Sequence, residues 1–172
     1  MMPRILSTSL LLAVVLAAQP AVAEEAGCVA LKGSLLTERS FDRNGFTGIP
    51  YTEITETRNV SGGQQKDALQ VKYRGILLRD LLNAAAFQEK ERHDFRKTLI
   101  VATARDGYVA LFSWGELFNS KLGEQVLVIT DIDGKPLSDA EGPCALRSLG
   151  DLRPGPRHVK WLKQIEVVRV GQ

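Results

Sequence analysis

Apolar and polar positions along the chain change period several times. Residues 29–33 form a short strand candidate, and residues 38–50, polar and glycine-containing, read as loop. From Tyr51 to Thr57 the side chains alternate, with Thr52, Ile54 and Glu56 opposite Tyr51, Glu53, Thr55 and Thr57. That period of two, rich in β-branched residues, predicts a strand. Residues 59–66, containing Gly62-Gly63, are expected to form a turn or loop. Residues 68–73 read as a strand with Leu69, Val71 and Tyr73 on one face. The period then changes. Leu78, Leu81, Leu82 and Ala85 recur at helical spacing, which predicts an amphipathic helix with Gly75 as the turn before it.

Asp106-Gly107 separates two apolar runs, 98–105 and 108–112, and predicts a hairpin because both residues tolerate positive φ. Ser113 and Glu116 have capping-box spacing ahead of Leu117 and Phe118, so a second short helix is expected. Strands are expected at 125–130, 145–149 and 161–170, with a tight turn at Asp133-Gly134. There are no internal repeats. Strands dominate, two short helices interrupt them, and no regular βαβ alternation exists. The predicted fold class is therefore α+β, a mixed or antiparallel β-rich domain.

Charge and composition narrow the function. The 22 basic and 20 acidic residues give a net charge of +2, and 44% of residues are apolar. This is globular composition, without the basic excess of a nucleic-acid binder. At the N-terminus, Arg4 precedes an uncharged run, 5–18, and then Ala21-Val22-Ala23. That pattern predicts a secretory signal cleaved after Ala23. The run is shorter than the ~20 residues needed to span a bilayer. Residues 1–23 are expected to be a signal peptide and 24–172 a single exported domain, periplasmic or secreted, with no membrane span after cleavage.

The chain has two cysteines, Cys28 and Cys144. An exported domain permits a disulfide between them, and a loop of more than a hundred residues would contribute about 4–5 kcal/mol. Two separate thiols remain the alternative, since spacing in sequence does not give spacing in space. Cysteine spacings for zinc or c-type haem are absent, as are Gly-rich nucleotide loops and a GxSxG nucleophile elbow. No haem, zinc or nucleotide is expected, and no catalytic residue is assigned. Glu91, His93 and Asp94 sit close together, but residues 89–97 read mainly as a solvated charge run.

The informative segment is 141–163. Arg147, Arg153, Arg157, Lys160 and Lys163 face Asp151 alone after residue 141, on a loop stiffened by Gly150, Pro154, Gly155 and Pro156. Guanidinium groups on a stiff loop suit an oxyanion or phosphate. A solvated basic loop is the alternative. His158 reads either as a ligand contact or as a loop histidine, and Trp161 as packing on the core edge.

Five ordered segments resemble one family. They are Tyr73-Arg74-Gly75-Ile76-Leu77-Leu78-Arg79-Asp80-Leu81-Leu82, Ala104-Arg105-Asp106-Gly107-Tyr108, Asp133-Gly134-Lys135-Pro136-Leu137, Gly142-Pro143 with Arg147, and Arg157-His158-Val159-Lys160-Trp161-Leu162. Together, over residues 69–168, the set resembles the sulfite oxidase-type molybdopterin-binding domain. The resemblance implies that family's fold and an oxidoreductase relation. It also implies a molybdopterin whose molybdenum is ligated by a cysteine thiolate, with basic residues holding the pterin phosphate. Arg147, Arg157, His158 and Lys160 are the residues that would carry over as cofactor-binding. The family's cysteine precedes the Tyr73 segment and is followed by Gly-Asn. This chain has no cysteine between Cys28 and Cys144; Cys28 lies too close to the expected mature terminus, with neighbours that do not match, and Cys144 lies on the Gly142-Pro143 strand instead. Two functions follow: a molybdopterin-binding module of a periplasmic redox system, or a cofactor-free domain that keeps the fold. The expected partners are a small anion or pterin phosphate and a periplasmic protein, with no nucleic acid.

Overall fold

The structure is a computed structural model that describes residues 27–34, 37–61, 66–87, 93–153 and 155–171. The expected signal peptide and the Gly62-Gly63 and Glu91 positions lie outside these residues. In chain order the elements are β1 (Val29–Gly33), β2 (Arg39–Phe41), β3 (Tyr51–Ser61), β4 (Lys66–Leu77) and α1 (Leu78–Ala85), followed by a 3₁₀ turn at Asp94–Lys97. Next come β5 (Thr98–Ala104), β6 (Val109–Ser113), α2 (Trp114–Phe118) and a second 3₁₀ turn at Lys121–Glu124. The chain ends with β7 (Val126–Ile132), β8 (Lys135–Pro136), β9 (Ala145–Ser148), β10 (His158–Val159) and β11 (Leu162–Arg169).

The strands make two sheets, ordered β2-β1-β11-β5-β6 and β10-β9-β7-β4-β3, with β8 flanking β7. The β1–β11 pair is parallel and the other pairs are antiparallel, so the fold is α+β with mixed sheets, as expected. The main core lies between the sheets. It takes Val29 and Leu31 from β1, Ile100 and Ala102 from β5, Phe112 from β6 and Ile165 from β11, set against Ile76, Val128 and Leu146. Leu78, Leu81, Leu82 and Ala85 seat α1 on this core. A smaller cluster, including Tyr73, Leu127, Ile129 and Leu137, covers the other face of the second sheet. Its central strand β7 is therefore buried on both faces over its first five residues.

The capping box forms as its spacing predicts: Glu116 N–H donates to Ser113 Oγ at 3.1 Å, and Ser113 N–H donates to Glu116 Oε2 at 2.7 Å. The hairpin at Asp106-Gly107 also forms. Cys28 and Cys144, whose Cα atoms are 5.1 Å apart, are joined in a disulfide that links the start of β1 to the segment entering β9. Of the two alternatives for these thiols, the bonded one holds.

Four local expectations change. Residues 38–50 contain the short strand β2, which hydrogen-bonds to β1. The β3–β4 ribbon runs on to the pair Ser61 and Lys66, beyond the last β4–β7 pair at Tyr73, as a two-stranded extension. Gly75 is not a turn but lies within β4, at a register shift against β7. A Cβ there would lie 2.8 Å from the Cα of Ile129, so the strands pack too closely for any side chain. The charged stretch near residue 94 is not wholly solvated: Asp94 is buried and its carboxylate meets Arg169 Nε at 3.2 Å. Among the described residues, no helix is long and apolar enough to cross a membrane.

Candidate functional site

The β9–β10 pairing sets His158 opposite Arg147, which brings two of the four candidate residues together. The Arg147 side chain is almost fully buried, at 5% exposure. Its Nη2 donates to both oxygens of Glu56, at 3.1 and 3.3 Å. The Tyr73 hydroxyl donates to the same carboxylate at 3.2 Å, and the Arg147 guanidinium lies 5.2 Å from the Tyr73 ring centre. Arg147 Nη1 also reaches His158 Nδ1 at 3.0 Å. A guanidinium has only N–H donors, so Nδ1 must accept. The ring proton therefore sits on Nε2, which donates to Glu141 Oε2 at 2.7 Å. The other oxygen of Glu141 pairs with Lys160 Nζ at 2.9 Å. A continuous chain runs from Tyr73 through Glu56, Arg147, His158 and Glu141 to Lys160.

Glu141 owes its position to the backbone behind it. Trp161 N–H donates to the Glu141 carbonyl at 2.8 Å. Gly142 has φ +84°, and a Cβ there would lie 2.7 Å from the Trp161 ring. Only glycine lets the two segments close. Trp161 itself is exposed and belongs to neither core cluster, against the expectation of core-edge packing, with the Arg105 guanidinium 5.2 Å from its ring centre. Burial holds the His158 pKa below its ordinary 6.5, and Arg147 adds to this against the opposing charge of Glu141. For Glu141, burial pushes upward, but the hydrogen bonds and charges of Lys160 and His158 together outweigh it and hold the carboxyl below its ordinary value.

Arg157 forms a second cluster. Its Nε donates to Asp151 Oδ2 at 2.8 Å, its Nη2 binds Asp151 Oδ1, and its Nη1 meets Glu116 Oε1 at 3.1 Å. The guanidinium lies over Phe112 at 4.6 Å. Burial again opposes ionisation of Asp151 and Glu116. Their bonds to Arg157, with those from Ser113 to Glu116, outweigh it and lower both pKa values. The expectation that Asp151 alone opposes these cations is thus corrected: Glu56, Glu116 and Glu141 converge on them from elsewhere in the chain. Reasoning from sequence missed these carboxylates. Only the capping role of Glu116 hinted at a fixed position. Arg153 is exposed, and Lys163 lies instead at a cavity beside Gly27 and Val29.

Lys160, at 51% side-chain exposure, is more open than Arg147 or Arg157. With His158, Ala104, Asp106, Tyr108 and Gly155 it lines a cavity of about 270 Å³. The Tyr108 hydroxyl is fixed at the rim, donating to the Pro156 carbonyl at 2.6 Å. No group of three or more metal-binding side chains exists among the described residues.

The family model "Oxidoreductase molybdopterin binding domain" matches residues 24–171. Among solved structures, the crystal structure of the sulfane dehydrogenase SoxCD from Paracoccus pantotrophus is similar, with a TM-score of 0.60 and 18% identity. The likeness covers 84% of this chain but 39% of that one, and at this identity it shows the fold. No curated protein matches the chain. A molybdenum–pterin group of this family needs a thiolate, and the residues present do not fit it. The only two cysteines form a buried disulfide. By the match that runs from residue 24 to residue 171, the chain belongs to the oxidoreductase molybdopterin-binding domain family.

Proposed function

We propose that this chain is an exported member of the family that works as a binding domain without molybdopterin. One observation carries the reading: the Cys28–Cys144 disulfide commits both cysteine sulfurs of the chain, leaving no thiolate for a soft, high-valent metal. Export is supported by the residue 1–23 pattern and by a disulfide suited to an oxidising compartment. The binding surface is the cavity at Lys160 and His158, with Arg147 and Arg157 behind it, and the ligand is a small anion or an acidic group of a periplasmic protein. Lys160 makes the contact. Glu141 is its resident counter-ion, so an incoming anion must displace that carboxylate. Binding therefore strengthens as pH falls and Glu141 takes up a proton.

Two measurements test this. Protein purified from a host that makes molybdopterin should contain no molybdenum; about one atom per chain would establish the cofactor-loaded redox module instead. Calorimetry with phosphate and sulfate should give an affinity that rises toward acid pH and falls tenfold or more in Lys160→Ala, the loss of one charge-assisted hydrogen bond. An affinity indifferent to Lys160 removes the cavity from the proposal.

A further inference from the structure

Apart from the two-residue β8 beside β7, the described strands leave four sheet edges, and three of them are blunted. β2 is three residues long and begins with the exposed Arg39. β10 has two residues. β3 is long but presents the exposed Glu53, paired with Lys72. Short length and charge are the ordinary means of keeping an edge strand from pairing. The fourth edge, β6, has neither. Its sequence, Val109-Ala110-Leu111-Phe112-Ser113, contains no charge and no proline, and Val109 and Leu111 are 48% and 51% exposed.

The backbone of β6 is open on the outer side. Ala104 N–H donates to the Tyr108 carbonyl. With the β5–β6 register, this makes Ala102–Ala110 and Ile100–Phe112 the hydrogen-bonded pairs. The N–H and C=O groups of Val109 and Leu111 therefore point away from β5. Their side chains continue an apolar face, since Leu111 lies beside Val101 and Leu99 beside Val168.

We propose that β6 is the interface of a twofold dimer, in which two copies of this strand pair antiparallel and join their five-stranded sheets into one of ten. This inference is independent of the binding function argued above. The register follows from the free backbone groups. Pairing Val109 of one copy with Leu111 of the other, about a twofold axis at Ala110, uses the outward groups of both residues twice. It leaves Ser113 N–H on its own partner, Glu116. Charges agree with it: the paired strand Val109–Ser113 carries none, so no like charges meet along it. An interface of this kind is isologous, with each apolar contact made twice.

Sedimentation equilibrium from micromolar to hundreds of micromolar tests the dimer, with amide exchange followed at the same concentrations. A dimer is expected, with the Val109 and Leu111 amides exchanging more slowly as it forms. Leu111→Lys and Val109→Lys should each weaken association roughly tenfold or more by removing cross-strand apolar pairs. Ser40→Lys, on the opposite edge, should leave association unchanged. Thermal melting of each variant checks that the fold survives. Should Leu111→Lys fail to fold, Val109→Lys and the parent's exchange still decide. A protein that is monomeric throughout overturns the proposal. So does a dimer indifferent to both lysines, or one whose Val109 and Leu111 amides exchange as in the monomer. Slow exchange of these amides in a monomer would mean that another segment of the same chain covers the edge, and would also overturn it.

Discussion

His158 shows how much one buried residue depends on partners far from it in sequence. Its neutral form is fixed from both sides: Arg147 occupies Nδ1 as a donor, and Glu141 takes the proton of Nε2. Protonation would aim a second N–H at the Arg147 guanidinium. The unfolded chain takes up this proton near the ordinary 6.5, whereas the folded chain holds the imidazole neutral to lower pH. Below that value the unfolded state binds more protons, so stability is full above about pH 6.5 and falls as pH drops. Glu116, Glu141 and Asp151, all with depressed pKa values, add to the loss at lower pH still. Chemical denaturation across this range should show the decline, and His158→Gln should abolish its first phase. A parent whose stability is flat from about pH 5 to 7 would contradict the assignment. The Arg147–Glu56 pair is buried more deeply. Arg147→Ala would take from Glu56 the cation whose N–H groups both its oxygens accept, and should cost about 3–5 kcal/mol in the same assay. A loss below about 1 kcal/mol would place the pair in effectively solvated surroundings. The cations were legible from sequence as a dense basic segment. Their neutralisation was not, because Glu56 is 91 positions from Arg147 and only the β3–β4–β7–β9 sheet order brings them together.

At the scale of elements, legibility followed local signals. The α1 periodicity, the Asp106-Gly107 hairpin and the Ser113–Glu116 capping box each depend on residues within one or two turns, and each forms as its pattern predicts. Gly75 is the instructive failure. A glycine before a helix reads as a turn, yet here its lack of a side chain serves a neighbouring strand that no local pattern can reveal. Gly75→Ala would set a methyl group against the Val128 carbonyl and Ile129 Cα, atoms of a central strand that cannot move aside. It should destabilise by about 1–3 kcal/mol, the usual cost of overpacking. Urea unfolding measures this. An unchanged midpoint would mean that the β4–β7 register slips to accommodate alanine. The extended β3–β4 ribbon failed for a different reason: polar residues with glycines read as loop, whereas backbone pairing between two neighbouring strands forms without apolar alternation.

At the scale of the molecule, the resemblance of five ordered segments indicated the family, and the disulfide supports the cofactor-free reading proposed above. Cys28 enters β1 in one sheet and Cys144 precedes β9 in the other, so the bond ties the two sheets across the main core. It closes a loop of 116 residues, which in the chain-entropy account corresponds to about 4–5 kcal/mol of stability. For a domain of this size that is roughly 10–20 °C in melting temperature. The Cys28→Ala/Cys144→Ala double variant should therefore melt lower by that interval. Both sulfurs are fully buried, so small cavities add to the loss and the shift should not fall below the range. A thiol assay on denatured, unreduced parent protein should find no free sulfhydryl, and after reduction it should find two per chain. Two free thiols before reduction would release both sulfurs for metal ligation and reopen the redox-module reading. A bonded pair whose removal barely moves the melting temperature would instead mean that the unfolded chain is already held compact by other contacts.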